Sequence, residues 1–166
     1  MYIKPFRNGR EFETDLLIGT DRSRAQNSPE ELGIKERICK PRYLSFSKSI
    51  LLVKQNQQRG HRSHCPRTPF LKAMYNCIAP ALRNGRQELR VFVALWSPLD
   101  FFHGVDFFFD YEGKIVTIDV TTKLWKLDYT ADVLITAEEI RHNEHYNRAR
   151  FIAHLLQIKE RKFYYP

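Results

Sequence analysis

The stretch from Gly104 to Lys123, GVDFFFDYEGKIVTIDVTTK, decides how this chain folds. It divides at Glu112-Gly113 into two apolar runs rich in aromatic and β-branched residues. Gly113 supplies the positive φ that a two-residue hairpin loop demands. A loop of that length pairs Tyr111 with Lys114, Phe109 with Val116, Phe107 with Ile118 and Asp106 with Asp119. Alternation places Val105, Phe107 and Phe109 on one face with Val116, Ile118 and Val120, an uninterrupted apolar surface. Asp106, Phe108 and Asp110 fall on the other face with Ile115, Thr117, Asp119, Thr121 and Lys123. Directly opposed residues hold their Cβ atoms ~4.5–5.5 Å apart, where two like charges are destabilising. The expected Asp106–Asp119 pair therefore persists in one of three ways. One carboxylate is protonated, a cation neutralises both, or the register differs. A hard cation such as Mg²⁺ or Mn²⁺ binds through one or two carboxylates and keeps several waters. Lys123, on the same face, would orient a water or offset charge in a phosphoryl transition state. The plain alternative is that both aspartates sit near strand ends, in water, without a role.

Around the hairpin the chain predicts a mixed sheet flanked by helices, an α/β or α+β fold. Thr68-Pro69 offers an N-cap and a first-turn proline for a helix over FLKAMYNCIA, which Pro80 kinks or ends. LRVFVALWS and ADVLIT have strand composition, and KLWKLDY between them and the hairpin is a loop or short helix. AEEIRHNEHYNRARFIAHLLQIKERK reads as one long helix, striped by Ile140, Ala149, Ile152, Leu155 and Leu156. Upstream, GREFETDLLIG suggests a short helix with Phe12, Leu16 and Leu17 on one side. DRSRAQNSPEELG is turn-like, with Ser28-Pro29-Glu30-Glu31 able to cap a helical turn. YLSFSKSILLV reads as a strand, and KQNQQRGHRSHCPR as a long basic loop. At 166 residues the chain suits one domain with a sizeable core. Residues 68–166 form its ordered α/β part, and the basic segment 1–67 is either an arm or part of the same domain.

Charge points to a partner. Of the formal net charge of +8, residues 1–90 hold 18 Lys/Arg against 8 Asp/Glu, whereas residues 91–166 hold 9 against 11. Between 35 and 67 stand Lys35, Arg37, Lys40, Arg42, Lys48, Lys54, Arg59, Arg62 and Arg67, opposed only by Glu36. Such a concentration fits a polyanion, because each neutralised phosphate releases counterions, with solubility or a poorly ordered basic segment as the plain alternative. Lys40, Arg42, Lys48, Lys54, Arg59, Arg62 and Arg67 are thus the candidate nucleic-acid contacts. The first residues, MYIKPFRNGREFETD, lack the apolar region of a secretory signal, and no apolar run approaches the ~18 residues of a membrane span. Cys39, Cys65 and Cys77 are odd in number and form no C-x-x-C pair, so reduced thiols in a cytoplasmic setting are expected.

An acid before a hairpin turn, then an acid with a lysine close behind it, resembles the core of the PD-(D/E)XK nuclease superfamily. The resemblance covers roughly residues 68–136 and includes the helix–strand–strand–strand–helix–strand order. It implies a restriction-endonuclease-like fold and Mg²⁺-dependent cleavage of phosphodiester bonds in DNA, with a homodimer left open. It also implies Asp106 and Asp119 as metal ligands, with the Val120 carbonyl as a further one. The pattern departs at Thr121, which stands where the family has its lysine. Lys123 is the first candidate to replace it and Lys126 the second. The same departure suits a silent nucleic-acid-binding module on that fold, and a protein-interaction domain with a basic face is a third reading. Members often add an acid from the preceding helix. Helix 68–79 has none, which leaves Glu88, Glu11 and Glu13.

Other signals are weaker. His61, His64 and Cys65 lack a second ligand cluster with zinc spacing and read as an exposed basic loop. His142 and His145 in HNEH do not match H-E-x-x-H and read as a solvated helix face. Among the aromatic residues Trp96, Phe101, Phe102, Phe107, Phe108 and Phe109, core packing suits Phe107 and Phe109. Phe101-Phe102-His103, placed in a loop, stays open between packing and base stacking, and Asp100 in the same loop is within reach of the carboxylate pair. No phosphate-cradling glycine loop and no nucleophile elbow is present, so nucleotide hydrolysis and acyl transfer find no support.

Overall fold

A computed structural model of the chain describes residues 8–19, 42–56, 63–123 and 126–159. The hairpin sits at its centre. Strands β2 (Phe107–Tyr111) and β3 (Lys114–Thr121) pair antiparallel in the expected register, from Tyr111↔Lys114 to Phe107↔Ile118. Both turn residues are left-handed, Glu112 at φ 52° and Gly113 at φ 79°, as a two-residue hairpin turn of this hand requires. The Gly113 N–H donates to Asp110 Oδ1 at 3.0 Å, which ties the turn to its own strand. Strand β1 (Leu89–Val93) adds antiparallel to β2, and β4 (Val133–Thr136) adds parallel to β3. The result is a four-stranded mixed sheet in the order β1-β2-β3-β4.

Helices cover both faces. Phe107, Phe109, Val116, Ile118 and Val120 join the main core, with Phe12, Leu16 and Leu17 of α1 (Gly9–Leu17). The same core takes Phe70, Leu71, Met74 and Ile78 of α3 (Pro69–Ile78), and Ala149, Ile152 and Leu156 of the C-terminal helix. Thr68 caps α3 by accepting from the Leu71 N–H, and the chain tightens into a 3-10 turn at Ala79–Ala81, where Pro80 stands. A short α4 (Gly85–Glu88) leads into β1. On the opposite face, Phe108 and Ile115 pack with Ile50 and Val53 of α2 (Phe46–Gln55) and Leu99 of α5 (Pro98–His103). The described parts of the basic N-terminal region thus supply one helix to each side of the sheet. Each fully buried large aliphatic or aromatic side chain contributes roughly 1.5–3 kcal/mol relative to exposure.

Four expectations are corrected. YLSFSKSILLV is helical from Phe46 rather than a strand, because Phe46, Ile50 and Val53 recur at helical spacing and that stripe covers the second face. The long C-terminal helix is two: α6 (Ala137–Arg141) opens with a Thr136–Glu139 capping box, and α7 (His145–Ile158) follows a turn with Asn143 left-handed at φ 61°. Val105 packs with Phe108 in the second core, not with Phe107, so alternation breaks just before β2. Phe101, Phe102 and His103 lie in α5 rather than in a loop. The described part of the β3–β4 connector, residues 126–132, has no helix. Among the described residues no helix is long and apolar enough to cross a membrane.

Candidate functional site

The break in alternation builds the site. The Asp106 N–H donates to the Ile118 carbonyl at 2.9 Å, and the Asp106 carbonyl accepts from the Ala94 N–H at 2.7 Å. The ladder therefore closes at Phe107↔Ile118, and Asp106 is not the cross-strand partner of Asp119. Instead its side chain turns along β3 and Oδ2 accepts from the Val120 N–H at 2.7 Å. A carboxylate thus takes an acceptor position that a strand carbonyl would normally fill. What the structure shows of Val120 here is its N–H on Asp106.

Asp119 is the other buried acid, and each of the two aspartates is only 4% exposed. Its Oδ2 accepts from the Lys126 ammonium in a short ion pair. Lys126, the second candidate, is therefore the lysine at the acid; Lys123 is exposed, and its backbone N–H donates to Thr121 Oγ1 at 3.1 Å. Two more carboxylates close the cluster. Asp100 Oδ2, from α5, accepts from the Trp96 N–H at 2.7 Å and from Arg10 at 2.6 Å. Glu13 comes from α1, where Arg10 lies 3.4 Å from it one turn back. Of the three acids named for a helical contribution, Glu13 is the one that reaches the aspartates; Glu88 is exposed at the end of α4 and Glu11 is exposed on α1.

Four acids facing two cations carry an electrostatic cost. Burial, then Glu13, Asp119 and Asp100, push the Asp106 carboxyl up to about 8, against the opposing pull of the Val120 N–H. Burial, then Asp100 and Asp119, push Glu13 up to about 7, although Arg10 and Lys126 act the other way. Burial works against the Arg10 charge, yet Asp100, Glu13 and Asp106 outweigh it and hold the guanidinium above its ordinary value. Mutual elevation of this kind arises when like charges share a desolvated site.

The donors are hard oxygens. Asp106 and Asp119 each engage one oxygen, and the other takes no hydrogen bond from a described residue. Among the described residues no three His, Cys, Asp or Glu side chains gather around one point as a metal-binding group. A metal here would rest on two carboxylates, with water or substrate completing its shell, which is how Mg²⁺ is commonly held.

Of the candidate nucleic-acid contacts, Arg42, Lys48 and Arg67 are exposed. Lys54 is committed to structure, 2.5 Å from Asp110 Oδ2 and 6.0 Å from the Phe92 ring centroid. Lys40, Arg59 and Arg62, like His61 and Cys39, lie outside the described residues, as does Ser28-Pro29-Glu30-Glu31. His64 and Cys65 are exposed, as expected for a loop. His142 is solvated beside Glu138, but His145 is buried between Phe70 and Tyr146, and burial lowers its pKa. No protein-family model, curated protein or solved structure matches this chain.

Proposed function

We propose that this chain is a divalent-cation-dependent nuclease of the PD-(D/E)XK type, with a restriction-endonuclease-like fold, acting on DNA in the cytoplasm. The observation that carries the reading is the placement of Lys126 on Asp119, beside a second buried aspartate at the end of the same hairpin. The missing lysine at Thr121 was the strongest reason to expect a silent site. Lys126, held on Asp119 from the β3–β4 connector, supplies an ammonium where Thr121 has none.

The donor chemistry suits Mg²⁺ or Mn²⁺ on Asp106 and Asp119. A bound divalent cation supplies Lewis-acid stabilisation of the charge that builds on the phosphate oxygens. The chain's own groups do the rest. Asp119 holds Lys126 in place, so that its remaining N–H donors face an attacking water or a non-bridging phosphate oxygen. Glu13 and Asp106 are the acids beside Asp119. Water adds to phosphorus and gives a proton to solvent, the P–O bond to the leaving oxygen breaks, and that oxygen takes up a proton from solvent. Exposed Arg42, Lys48 and Arg67 would hold the backbone without reading sequence.

The test is nicking of supercoiled plasmid with Mg²⁺ or Mn²⁺. The wild-type protein is expected to nick, and Asp119→Ala to lose cleavage while keeping salt-sensitive DNA binding. Undiminished cleavage by Asp119→Ala overturns the assignment. Wild-type protein that retards DNA and never nicks it points to the silent binding module instead.

A further inference from the structure

Helix α5 carries more than Asp100. The next two residues, Phe101 and Phe102, are 46% and 40% exposed, and Tyr43, beside them, is 65% exposed. Tyr43 and Phe102 expose two contacting rings, and Phe101 lies next to Phe102 on α5, in a chain whose other described phenylalanines, Phe151 apart, are at least partly buried. They are also held in order. The Tyr43 ring meets Phe102 edge-on at 5.4 Å and lies 5.9 Å from His103. His103 is in turn fixed by a 2.9 Å contact of Nε2 with the Leu44 carbonyl and by the Phe46 ring at 5.4 Å. Such anchoring lowers the entropy lost when a ligand stacks on the rings.

We propose that Tyr43, Phe101 and Phe102 form a stacking platform for the bases of an unpaired DNA strand, set at the rim of the acid cluster. The inference rests on the preceding reading that the cluster cuts DNA, and it names the form of DNA. Arg10 joins the two parts: its guanidinium lies 5.9 Å from the Phe101 ring centroid while bonded to Asp100. Exposed Arg42 directly precedes Tyr43, and exposed Lys48 lies on the helix that follows. Aromatic faces flanked by cations suit single strands, whose bases expose π-faces and whose phosphates pair with the cations. A duplex hides those faces within its stack. An apolar peptide would find the rings but no use for exposed Arg42 and Lys48, so the charge of those two residues favours the nucleic acid.

The experiment uses the 166-residue chain carrying Asp119→Ala, so that bound DNA survives, with fluorescent oligo(dT) and a blunt duplex as probes. The double variant Phe101→Ala/Phe102→Ala is expected to lose about tenfold or more in oligo(dT) affinity and to keep its duplex affinity. Phe101→Tyr/Phe102→Tyr, which keeps the rings, is expected to restore oligo(dT) binding. Should the alanine pair fail to fold, Tyr43→Ala at a mostly exposed ring serves the same comparison. Equal losses on both probes, no loss on either, or ring dependence with oligo(U) but none with oligo(dT) overturn the proposal. Ring-dependent oligo(dT) binding by a wild-type protein that never nicks plasmid would sink the nuclease reading alone.

Discussion

Replacing Asp106 with Asn should stabilise this protein, and the gain should grow with pH. Asparagine keeps the size of the side chain and an oxygen that accepts from the Val120 N–H, now made at 2.7 Å, while it removes the charge. In the folded chain the Asp106 carboxyl is raised from 3.8 to about 8, by burial first and then by Glu13, Asp119 and Asp100. The sign follows from linkage. Below the unfolded value Asp106 is protonated in both states and costs nothing. As pH rises toward the folded value, the unfolded chain ionises freely and the folded one does not, so wild-type stability falls. At pH 7 the gap is roughly three pH units at ~1.4 kcal/mol each, a ceiling of ~4 kcal/mol. Relaxation and water entry reduce it, and a gain of about 2–3 kcal/mol is expected at pH 8.5, shrinking toward nothing near pH 4. Urea unfolding of both proteins, followed by tryptophan fluorescence in EDTA at each pH, measures the difference. An Asn variant no more stable than wild type at pH 8.5, or shifted equally at both pH values, would show that the folded chain does not hold Asp106 near neutrality. A gain would be the stability cost of a functional site, since an ordinary core has no reason to keep the charge.

Three further outcomes follow from the geometry. Lys126→Ala, which strips Asp119 of its ammonium, should lower plasmid nicking by about 100-fold or more, an effect of the size seen when one charge-stabilising donor is removed. Lys123→Ala at the exposed neighbour should change nicking less than twofold, and the reverse ranking in initial rates would return the role to Lys123. Gly85→Ala should destabilise by about 3 kcal/mol in urea unfolding, because an added Cβ would come 2.2 Å from the Ala79 carbonyl oxygen and 2.9 Å from the Leu82 Cβ. A change under about 0.5 kcal/mol, the usual size for an uncrowded surface position, would show that the turn moves aside freely.

The hairpin was legible because its information is local. A Glu-Gly turn fixes the register, and the register fixes every face from Tyr111 to Phe107. Legibility stopped one residue later. Nothing in the sequence says that the Asp106 N–H and carbonyl go to Ile118 and Ala94 and release its side chain to Val120. That departure is tertiary, and it brings Asp106 to the acid cluster through β3 rather than across from Asp119. YLSFSKSILLV misled because β-branched and aromatic composition outweighed a three-residue helical stripe, a balance settled by the open face of the sheet. The break at residues 142–144 carries no proline or glycine, only Asn143, a residue that tolerates the left-handed region. Glu13 was named only as one acid among three. The signal that selects it is its neighbour Phe12, fully buried in the main core, which anchors α1 and fixes which side of the helix faces the sheet.

On the proposed reading, the buried carboxylates of Asp106 and Asp119 hold a divalent cation. Calorimetric titration of Mn²⁺ into the 166-residue chain at pH 7.5, repeated in buffers of different ionisation enthalpy, reads this out. The predicted result is one saturable site that releases about one proton per ion, as expected when carboxyls held near neutrality must ionise to bind. Asp119→Ala and Asp106→Asn should each abolish the saturable heat. A wild-type protein that takes up no Mn²⁺, or an Asp119→Ala variant that binds it unchanged, would contradict the claim.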